Sequence, residues 1–520
     1  MATPQQTSVK PEQPDKLDRS VILTGLVVVA GMIMVVLDTT IVNVALDTLS
    51  SDLDAPLSTT QWVVTGYMLA VALVIPLTGW AMDRFGAKAT WITSLTLFVA
   101  GSALCALAWN MESLIAFRML QGLGGGMLLP AGQAIITRAA GPQRLGRAMS
   151  ILGVPMLLGP VFGPVLGGLL VDYTTWHWIF IVNVPVGILA IALAVWKLPS
   201  GGALPDAGRL DTRGLILLSG SLAALLYGLS QASSEGGFGN WAVLGWLIAG
   251  AIGLALYTWH SLHRGSASII DVRLFKNFRF ASGTVSVFLV AIGMFGGMLL
   301  LPLYYQTVRG EDALSAGWLL APQGLGAIVA MVIGGRLSDR IGAGYVVPVG
   351  IVLALAGTLP FTQVGTDTSY LWLSAALFVR GMGLGSVMMP TIAASYTQLS
   401  KDVVSRAAPT LSAMQQVGGS LGSALLVTAL TQRFTTQLTD AGVQSGAASG
   451  TDQLGSIPPE AMPTVAPLLA NSFGYAFWIT FALTALIAVP ALFLPRHRHG
   501  KDSTESNTRD TEQAPAVPGL

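Results

Sequence analysis

The sequence predicts an all-helical integral membrane protein whose two halves share one plan. Of its 520 residues, 52% are hydrophobic and only 10% are charged, whereas soluble domains carry roughly 25% charged residues. Fourteen apolar stretches approach the ~20 residues that a helix needs to cross a bilayer. A short signal, Gly-x-x-x-Asp-Arg-x-Gly-Ala, occurs at residues 79–87 and again at 335–343. Such a repeat between apolar stretches indicates two related six-helix bundles.

The apolar stretches give the order of the spans. We expect them near residues 21–46, 61–80, 89–109, 112–137, 146–171, 177–196, 213–232, 241–262, 280–304, 314–335, 345–364, 370–396, 405–431 and 473–494. The first signal follows the second span and its copy follows the tenth, so two helices are inserted between the bundles. We therefore expect an N-terminal bundle over residues 21–200, an inserted pair over 201–274 and a C-terminal bundle over 275–495.

Three segments do not fit this pattern. Residues 1–20 and 496–520 are polar and cannot bury a core, so we expect them to be disordered. The first apolar run is too long for a cleavable signal peptide and is expected to remain as the first span. Residues 432–472 are rich in Gly, Ser and Pro and predict a long outer loop.

The positions of the charges predict the orientation. Most of the 27 Lys and Arg residues fall on one side when the spans alternate from a cytoplasmic start, and basic residues mark cytoplasmic loops. Both termini are therefore predicted to be cytoplasmic. The net charge of +1 gives no field that would recruit nucleic acid. The single cysteine, Cys105, excludes an internal disulfide.

The sequence offers no pattern for catalysis or for a metal. Its histidines lie at helix ends, in loops or in the tail: His177, His260, His263, His497 and His499. They show neither the spacing of metal ligands nor a nucleophile with its base. A phosphate-binding Gly-x-x-x-x-Gly-Lys-Ser/Thr loop is also missing from the sequence. We therefore expect neither an enzyme nor ATP-driven transport.

Three charged residues lie well inside predicted spans rather than at their ends. Asp38 lies about 12 Å from the outer end of its span, and Arg118 lies about 9 Å below the outer end of the fourth span, at 1.5 Å per residue. Arg380 occupies a related position in the second half. A carboxylate at the depth of Asp38 is unfavourable, which makes it a functional candidate. Arg118 is the candidate partner of Asp38 in proton coupling, and the alternative is that the two form a fixed structural ion pair.

Several motifs together resemble one family of transporters. They are Leu37-Asp38-Thr39-Thr40-Ile41-Val42-Asn43-Val44-Ala45-Leu46, the repeated signal, Arg118-x-x-Gln121-Gly122 and Gly159-Pro160-x-x-Gly163-Pro164-x-x-Gly167-Gly168. The chain is similar over nearly its whole length to the fourteen-span drug:proton antiporters of the major facilitator superfamily. It departs from the pattern of that family at Asp47, Ala81 and Ala87.

The resemblance implies export of hydrophobic or cationic small molecules in exchange for protons, by alternating access, with Asp38 as the coupling acid. It implies no cofactor, because the proton motive force supplies the energy. It also implies a bacterial cytoplasmic membrane, and we expect a monomer. Two alternatives stay open, because a fold does not decide function: an exporter of an endogenous metabolite or lipid, and a solute importer.

The repeated signal is expected to form the cytoplasmic gate. Its candidate residues are Gly79, Asp83, Arg84, Gly86, Gly335, Asp339, Arg340 and Gly342, with Arg144 or Arg147 as partner for Asp83. Each Asp is expected beside a helix start, where exposed N–H groups favour a carboxylate. In the resembling family this loop holds the inward side closed through charge pairs. The alternative is a solvated turn whose charges only set the topology.

The fifth span carries a stripe of glycines. Gly159, Gly163 and Gly167 recur every fourth residue and are followed by Gly168, which predicts a face that a neighbouring backbone can approach closely. Pro160 and Pro164 remove backbone hydrogen bonds and should bend the helix. The resemblance implies a gate between the halves, whereas the spacing alone is equally compatible with ordinary packing.

Polar, aromatic or flexible side chains within apolar spans are candidates for the wall of a substrate cavity. They are Asn43, Tyr67, Gln121, Met127, Gln133, Tyr304, Gln306, Gln323 and Gln415. Each of them could instead bond to a neighbouring helix. Because the spans hold no strong acid besides Asp38, we expect monovalent cations or neutral compounds rather than divalent cations.

Overall fold

The computed structural model describes residues 18–199, 203, 208–234, 237–397, 399, 401–441 and 462–494. Regular structure in these ranges is helical. The long helices, numbered in chain order, are α1 (Arg19–Val44), α2 (Trp62–Val74 and Leu77–Phe85), α3 (Ala87–Ala106), α4 (Met111–Ala140), α5 (Leu145–Tyr173), α6 (His177–Ile181 and Asn183–Lys197), α7 (Thr212–Ser234), α8 (Trp241–Arg264), α9 (Phe278–Thr307), α10 (Ala313–Ile341), α11 (Ala343–Thr358), α12 (Tyr370–Tyr396), α13 (Lys401–Asp440) and α14 (Met462–Leu486).

Each predicted span corresponds to one of these helices. Within the described ranges, eleven helical segments are long and apolar enough to cross a bilayer, or twelve when the two parts of α2 count as one span. The remaining helices, α5 and α13, have 29 and 40 residues, more than the ~20 that a crossing requires. The chain is a multi-pass membrane protein.

Two of the predicted segments look different in the structure. The second span, predicted near residues 61–80, bends by 53° between the two parts of α2, where Pro76 lacks a backbone N–H for the helix. The outer loop expected over residues 432–472 is narrower, because α13 continues to Asp440 and α14 already begins at Met462. Residues 442–461, 1–17 and 495–520 lie outside the described part, so the expectations about the termini stay predictions.

The halves meet through equivalent helices. In the first half α1 packs on α5, and α4 packs on α2 and α3; in the second half α9 packs on α13, and α12 packs on α10 and α11. Across the halves, α5 packs on α10, and α13 packs on α2 and α4. Of the inserted pair, α7 packs on both α2 and α13, while α8 packs chiefly on α7. Two symmetric helix contacts, α5 on α10 and α13 on α2, therefore connect the bundles.

Candidate functional site

A buried polar cluster surrounds Asp38 on α1. Arg118 Nη1 on α4 donates a hydrogen bond of 2.6 Å to Asp38 Oδ2. The other carboxylate oxygen, Oδ1, accepts from Gln121 Nε2 and from Asn183 Nδ2, both at 2.9 Å. The side chains of Asp38 and Arg118 are 0% and 1% exposed. We call these four residues the Asp38 cluster; in it, one carboxylate is held by one guanidinium and two amides.

The surrounding helices fix the orientation of Arg118. Its Nη1 also donates to Gln121 Oε1 at 2.7 Å, and its Nε donates to the carbonyl of Val63 on α2 at 3.2 Å. The guanidinium carbon lies 4.2 Å from the centre of the Tyr67 ring, a distance at which a ring face attracts a cation. The buried Tyr67 hydroxyl has no hydrogen-bond partner within the described ranges.

Asn183 and Ser102 belong to this site although no sequence motif marks them. Asn183 Nδ2 also contacts Ser102 Oγ at 3.2 Å, and Ser102 Oγ donates to the carbonyl of Phe180 at 3.0 Å. Asn183 begins the second segment of α6. A polar residue in an apolar span, the signal that selected Gln121, was also available for Asn183.

The two aspartates of the repeated signal contact the opposite half of the protein. Asp339 Oδ2 accepts from Arg147 Nε at 2.8 Å, and its Oδ1 accepts from the backbone N–H of Gly146 at 2.8 Å. Asp83 Oδ1 accepts from Ser405 Oγ at 2.7 Å, and its Oδ2 accepts from Arg406 Nε at 3.1 Å. The aspartate of each copy therefore bonds to the start of a helix in the other half: Asp339 to α5, and Asp83 to α13.

The expected partner of Asp83 is therefore wrong. Arg147 pairs with Asp339, and Arg144 Nη1 bonds to Asp18 Oδ2 at 2.8 Å. Asp83 has a cation in its own half, Arg138, with Nη2 3.7 Å from Oδ1. Its hydrogen-bonded partners, Ser405 and Arg406, lie in the other half. The favourable helix start is likewise that of the opposite α5, because Asp339 itself lies in the last turn of α10.

The glycines of the signal allow the backbones of the two halves to approach each other closely. A Cβ at Gly335 would clash with the Gly146 carbonyl, and a Cβ at Gly79 would clash with the Ser405 carbonyl. The second glycine of each copy, Gly86 or Gly342, caps its helix at a φ of +88° or +94°, a conformation that glycine adopts readily. The arginines of the signal, Arg84 and Arg340, are exposed.

The glycine stripe of α5 packs directly against the helix that carries Asp38. A Cβ at Gly159 would clash with Val36, and a Cβ at Gly163 would clash with Thr40. Thr40 Oγ1 also contacts the Gly159 carbonyl at 3.3 Å. Gly167 follows the same face and lies close to the α1 backbone, whereas Gly168 faces open space. The side chains of Pro160 and Pro164 lie outside the described residues, so the expected bend is untested.

The cavity candidates occupy different surroundings. Tyr67 and Gln121 belong to the Asp38 site. Two others bond across helices in the manner of packing contacts: Gln133 Oε1 accepts from Tyr396 on α12 at 3.0 Å, and the Tyr304 hydroxyl donates to the Gly365 carbonyl at 2.7 Å.

The remaining candidates differ in their exposure and in their partners. Asn43 and Gln306 are exposed and Met127 is half-buried. Gln323 Oε1 accepts from Arg380 Nη1 at 2.7 Å. The amide of Gln415 on α13 is buried, and neither of its polar atoms has a hydrogen-bond partner in the part of the chain that the structure describes.

Comparisons with known proteins agree with this architecture. The family model described as Major Facilitator Superfamily matches residues 28–427. The chain is 40% identical over 501 residues to "Multidrug resistance protein B homolog" of Mycobacterium tuberculosis, covering 93% of this chain and 92% of that protein. It is 28% identical to "Multidrug resistance protein 3" of Bacillus subtilis, covering 90% and 94%.

A solved structure shows the same fold. The proton:xylose symporter XylE aligns with a TM-score of 0.58 and 14% identity, covering 91% of this chain and 94% of that one. The helix order, the symmetric contacts between halves, the family model and the relatives lead to one conclusion. The chain belongs to the major facilitator superfamily, a family of membrane transporters rather than enzymes.

Proposed function

We propose that this protein is a proton-coupled exporter of hydrophobic or cationic small molecules, with residues 21–200 and 275–495 as the bundles that move during alternating access. The observation that carries the proposal is the Asp38 cluster. Its carboxylate is fully buried, and its cationic partner among the described residues is Arg118, at 2.6 Å. The names of the relatives support the substrate class, since both are called multidrug resistance proteins.

The chemistry of this cluster suits coupling. A guanidinium stays charged under all physiological conditions, so a proton that binds in the cluster binds to the carboxylate. Protonation of Asp38 would leave Arg118 buried without a counter-charge, and such a loss costs about 3–5 kcal/mol when one partner of a buried pair is removed. That free energy favours a conformation in which the cluster is rearranged. A cationic substrate would compete with the proton for the same carboxylate.

The packing of α5 links the cluster to the gate. Thr40, close to Asp38 on α1, contacts the Gly159 carbonyl of α5 at 3.3 Å. Gly146 and Arg147, in the first turn of the same α5, donate three hydrogen bonds to Asp339. With both termini in the cytoplasm, the contacts of Asp83 and Asp339 hold the cytoplasmic end closed. We propose that a movement of α1 is transmitted along α5 to this gate.

Transport into inside-out membrane vesicles tests the function. Vesicles that contain the protein should accumulate ethidium when an acid interior is imposed, and a protonophore should abolish the accumulation. The variant Asp38→Asn should lose it, whereas Asp52→Asn, the same change at an exposed site, should not. Accumulation that ignores the protonophore, or none above vesicles without the protein, would refute the proposal.

A further inference from the structure

Arg380 on α12 is a buried cation without a carboxylate partner. Its side chain is 1% exposed, and its Nη1 donates to Gln323 Oε1 at 2.7 Å. Among the residues that the structure describes, no Asp or Glu lies within ion-pair distance of this guanidinium, and no other hydrogen bond to it is found. One amide oxygen therefore accommodates a full positive charge.

Comparison of the two halves shows that the surroundings of Arg380 differ from those of Arg118. Gln323 and Tyr67 both precede the aspartate of their signal by 339 − 323 = 83 − 67 = 16 residues, and each lies beside the arginine of its half. In the first half α1 supplies Asp38 to Arg118. In the second half the residue of α9 that faces the guanidinium is Gly297, where a Cβ would clash with Arg380 Nη2. At the position of α9 that faces the arginine, the second half therefore has a glycine instead of an acid.

The depth of Arg380 in the membrane excludes lipid head groups as its counter-ions. It lies ten residues into α12, which is about 15 Å at 1.5 Å per residue, or half of a hydrocarbon core of about 30 Å. Phospholipid head groups do not reach that depth. A buried unpaired ion is strongly unfavourable, and an ionisable group inside the membrane is a functional candidate. The counter-charge must therefore arrive on a molecule that enters between the helices.

An aromatic cluster lies one helical turn from Arg380. Leu301 lies about one turn after Gly297 on α9, and Leu377 lies about one turn before Arg380 on α12. Both leucines belong to a buried cluster with several aromatic rings. Within it, Tyr304 and Phe473 are 5.8 Å apart, centre to centre, and Phe361 and Phe477 are 5.2 Å apart. A molecule with an anionic group at Arg380 would place its apolar body against these rings.

We propose that Arg380 and Gln323 form a subsite for the carboxylate of amphipathic aromatic acids. A guanidinium matches a carboxylate with two parallel N–H donors, and the Gln323 amide can turn its N–H₂ to the same group. This inference rests on the proposed export function and extends its substrates from cations and neutral compounds to organic anions and zwitterions.

A matched pair of fluorescent probes tests the subsite. 1-Pyrenebutyrate and 1-pyrenebutyramide differ in charge and share the aromatic body. With the full-length protein in nanodiscs at pH 7.5, the wild type should bind the acid at least about tenfold more tightly than the amide, because charge-assisted pairing adds to the shared apolar contact. Gln323→Glu gives Arg380 its own carboxylate, so the ratio of the two dissociation constants should fall to about one.

Two controls keep the test decisive. Gln432→Glu introduces the same change at an exposed position of α13 and should keep the preference for the acid. Size-exclusion chromatography and thermal melting of Gln323→Glu should match those of the wild type or show a higher melting temperature, which shows that the variant is folded. Equal binding of both probes by the wild type, or an unchanged preference in Gln323→Glu, overturns the subsite.

The source of the anion is tested in the same assay. If chloride is the natural counter-ion, replacing gluconate by chloride should remove the preference for 1-pyrenebutyrate and stabilise the protein thermally without probe; that outcome overturns the assignment to organic acids. A failure of ethidium export in the wild type contradicts the proposed function only, because the binding preference is measured without a proton gradient.

Discussion

Asp339 of α10 and Arg147 of α5 form an ion pair between the two halves, with Nε and Oδ2 2.8 Å apart. Both side chains are largely buried, and the backbone N–H of Gly146 adds a further hydrogen bond of 2.8 Å. Asp83 repeats the arrangement with Ser405 and Arg406. Because each aspartate bonds to the start of a helix in the other half, the two contacts together resist separation of the bundles at the end where the repeated signal lies.

Removing the charge of Asp339 should open this end more often. In Asp339→Asn the ion pair to Arg147 is lost while the shape of the side chain is kept. We expect a cysteine at the buried position of Ser150, in a background with Cys105→Ala, to react with a maleimide about tenfold faster, which corresponds to about 1.4 kcal/mol. Asp367→Asn at an exposed site is the control and should leave the rate unchanged. Equal rates in both variants would contradict the gate.

Exchanging the charges of Asp83 and Arg406 tests the crossed pairing. Asp83→Arg and Arg406→Asp should each abolish most of the export, since each leaves like charges or an unpaired charge at a partly buried contact. The double variant should recover a substantial part of the export, because residues in contact are not additive. The crossed pairing would be contradicted if Arg406→Asp failed to rescue Asp83→Arg. Rescue by Arg144→Asp or Arg147→Asp instead would favour the pairing that was expected within one half.

Gly163→Ala should impair both stability and export. The new Cβ would clash with Thr40, and overpacking a tight contact costs about 1–3 kcal/mol. The variant Gly168→Ala is its control in the same helix, because nothing lies within 4 Å of the added Cβ. Thermal melting and ethidium export measure the effect, and Thr40→Ala should partly rescue Gly163→Ala. Similar behaviour of the two glycine variants would show that the stripe does not pack as described.

Asn183→Ala should weaken export although no sequence motif marks this residue. The substitution removes one of two amide donors to Asp38 Oδ1, and a buried group that loses a partner costs about 1–3 kcal/mol. We expect a drop of about tenfold in proton-driven ethidium export, smaller than that of Asp38→Asn. Asn43→Ala removes an exposed amide that bonds only within its own helix and should have little effect. An equal loss in both variants would argue against a role for Asn183 in the cluster.

The sequence predicted those features that depend on local composition. Long apolar stretches located all fourteen helices, and depth in the membrane selected Asp38 and Arg118, which the structure joins directly. The partner of Asp83 could not be found in this way, because the pair with Arg406 forms only when two halves of the fold meet. The repeat of Arg147-Ala148 as Arg406-Ala407 carried that information, but only the assembled structure shows that the pairs cross between halves.

Proton movement driven by substrate tests the central claim most directly. Proteoliposomes that contain the purified protein and a pH-sensitive dye should report a proton flux when an ethidium gradient is applied, because the two ligands exchange through Asp38. The variant Asp38→Asn should show no such flux, while Asp52→Asn should behave as the wild type. A proton flux of wild-type size in Asp38→Asn would contradict the assignment of coupling to this carboxylate.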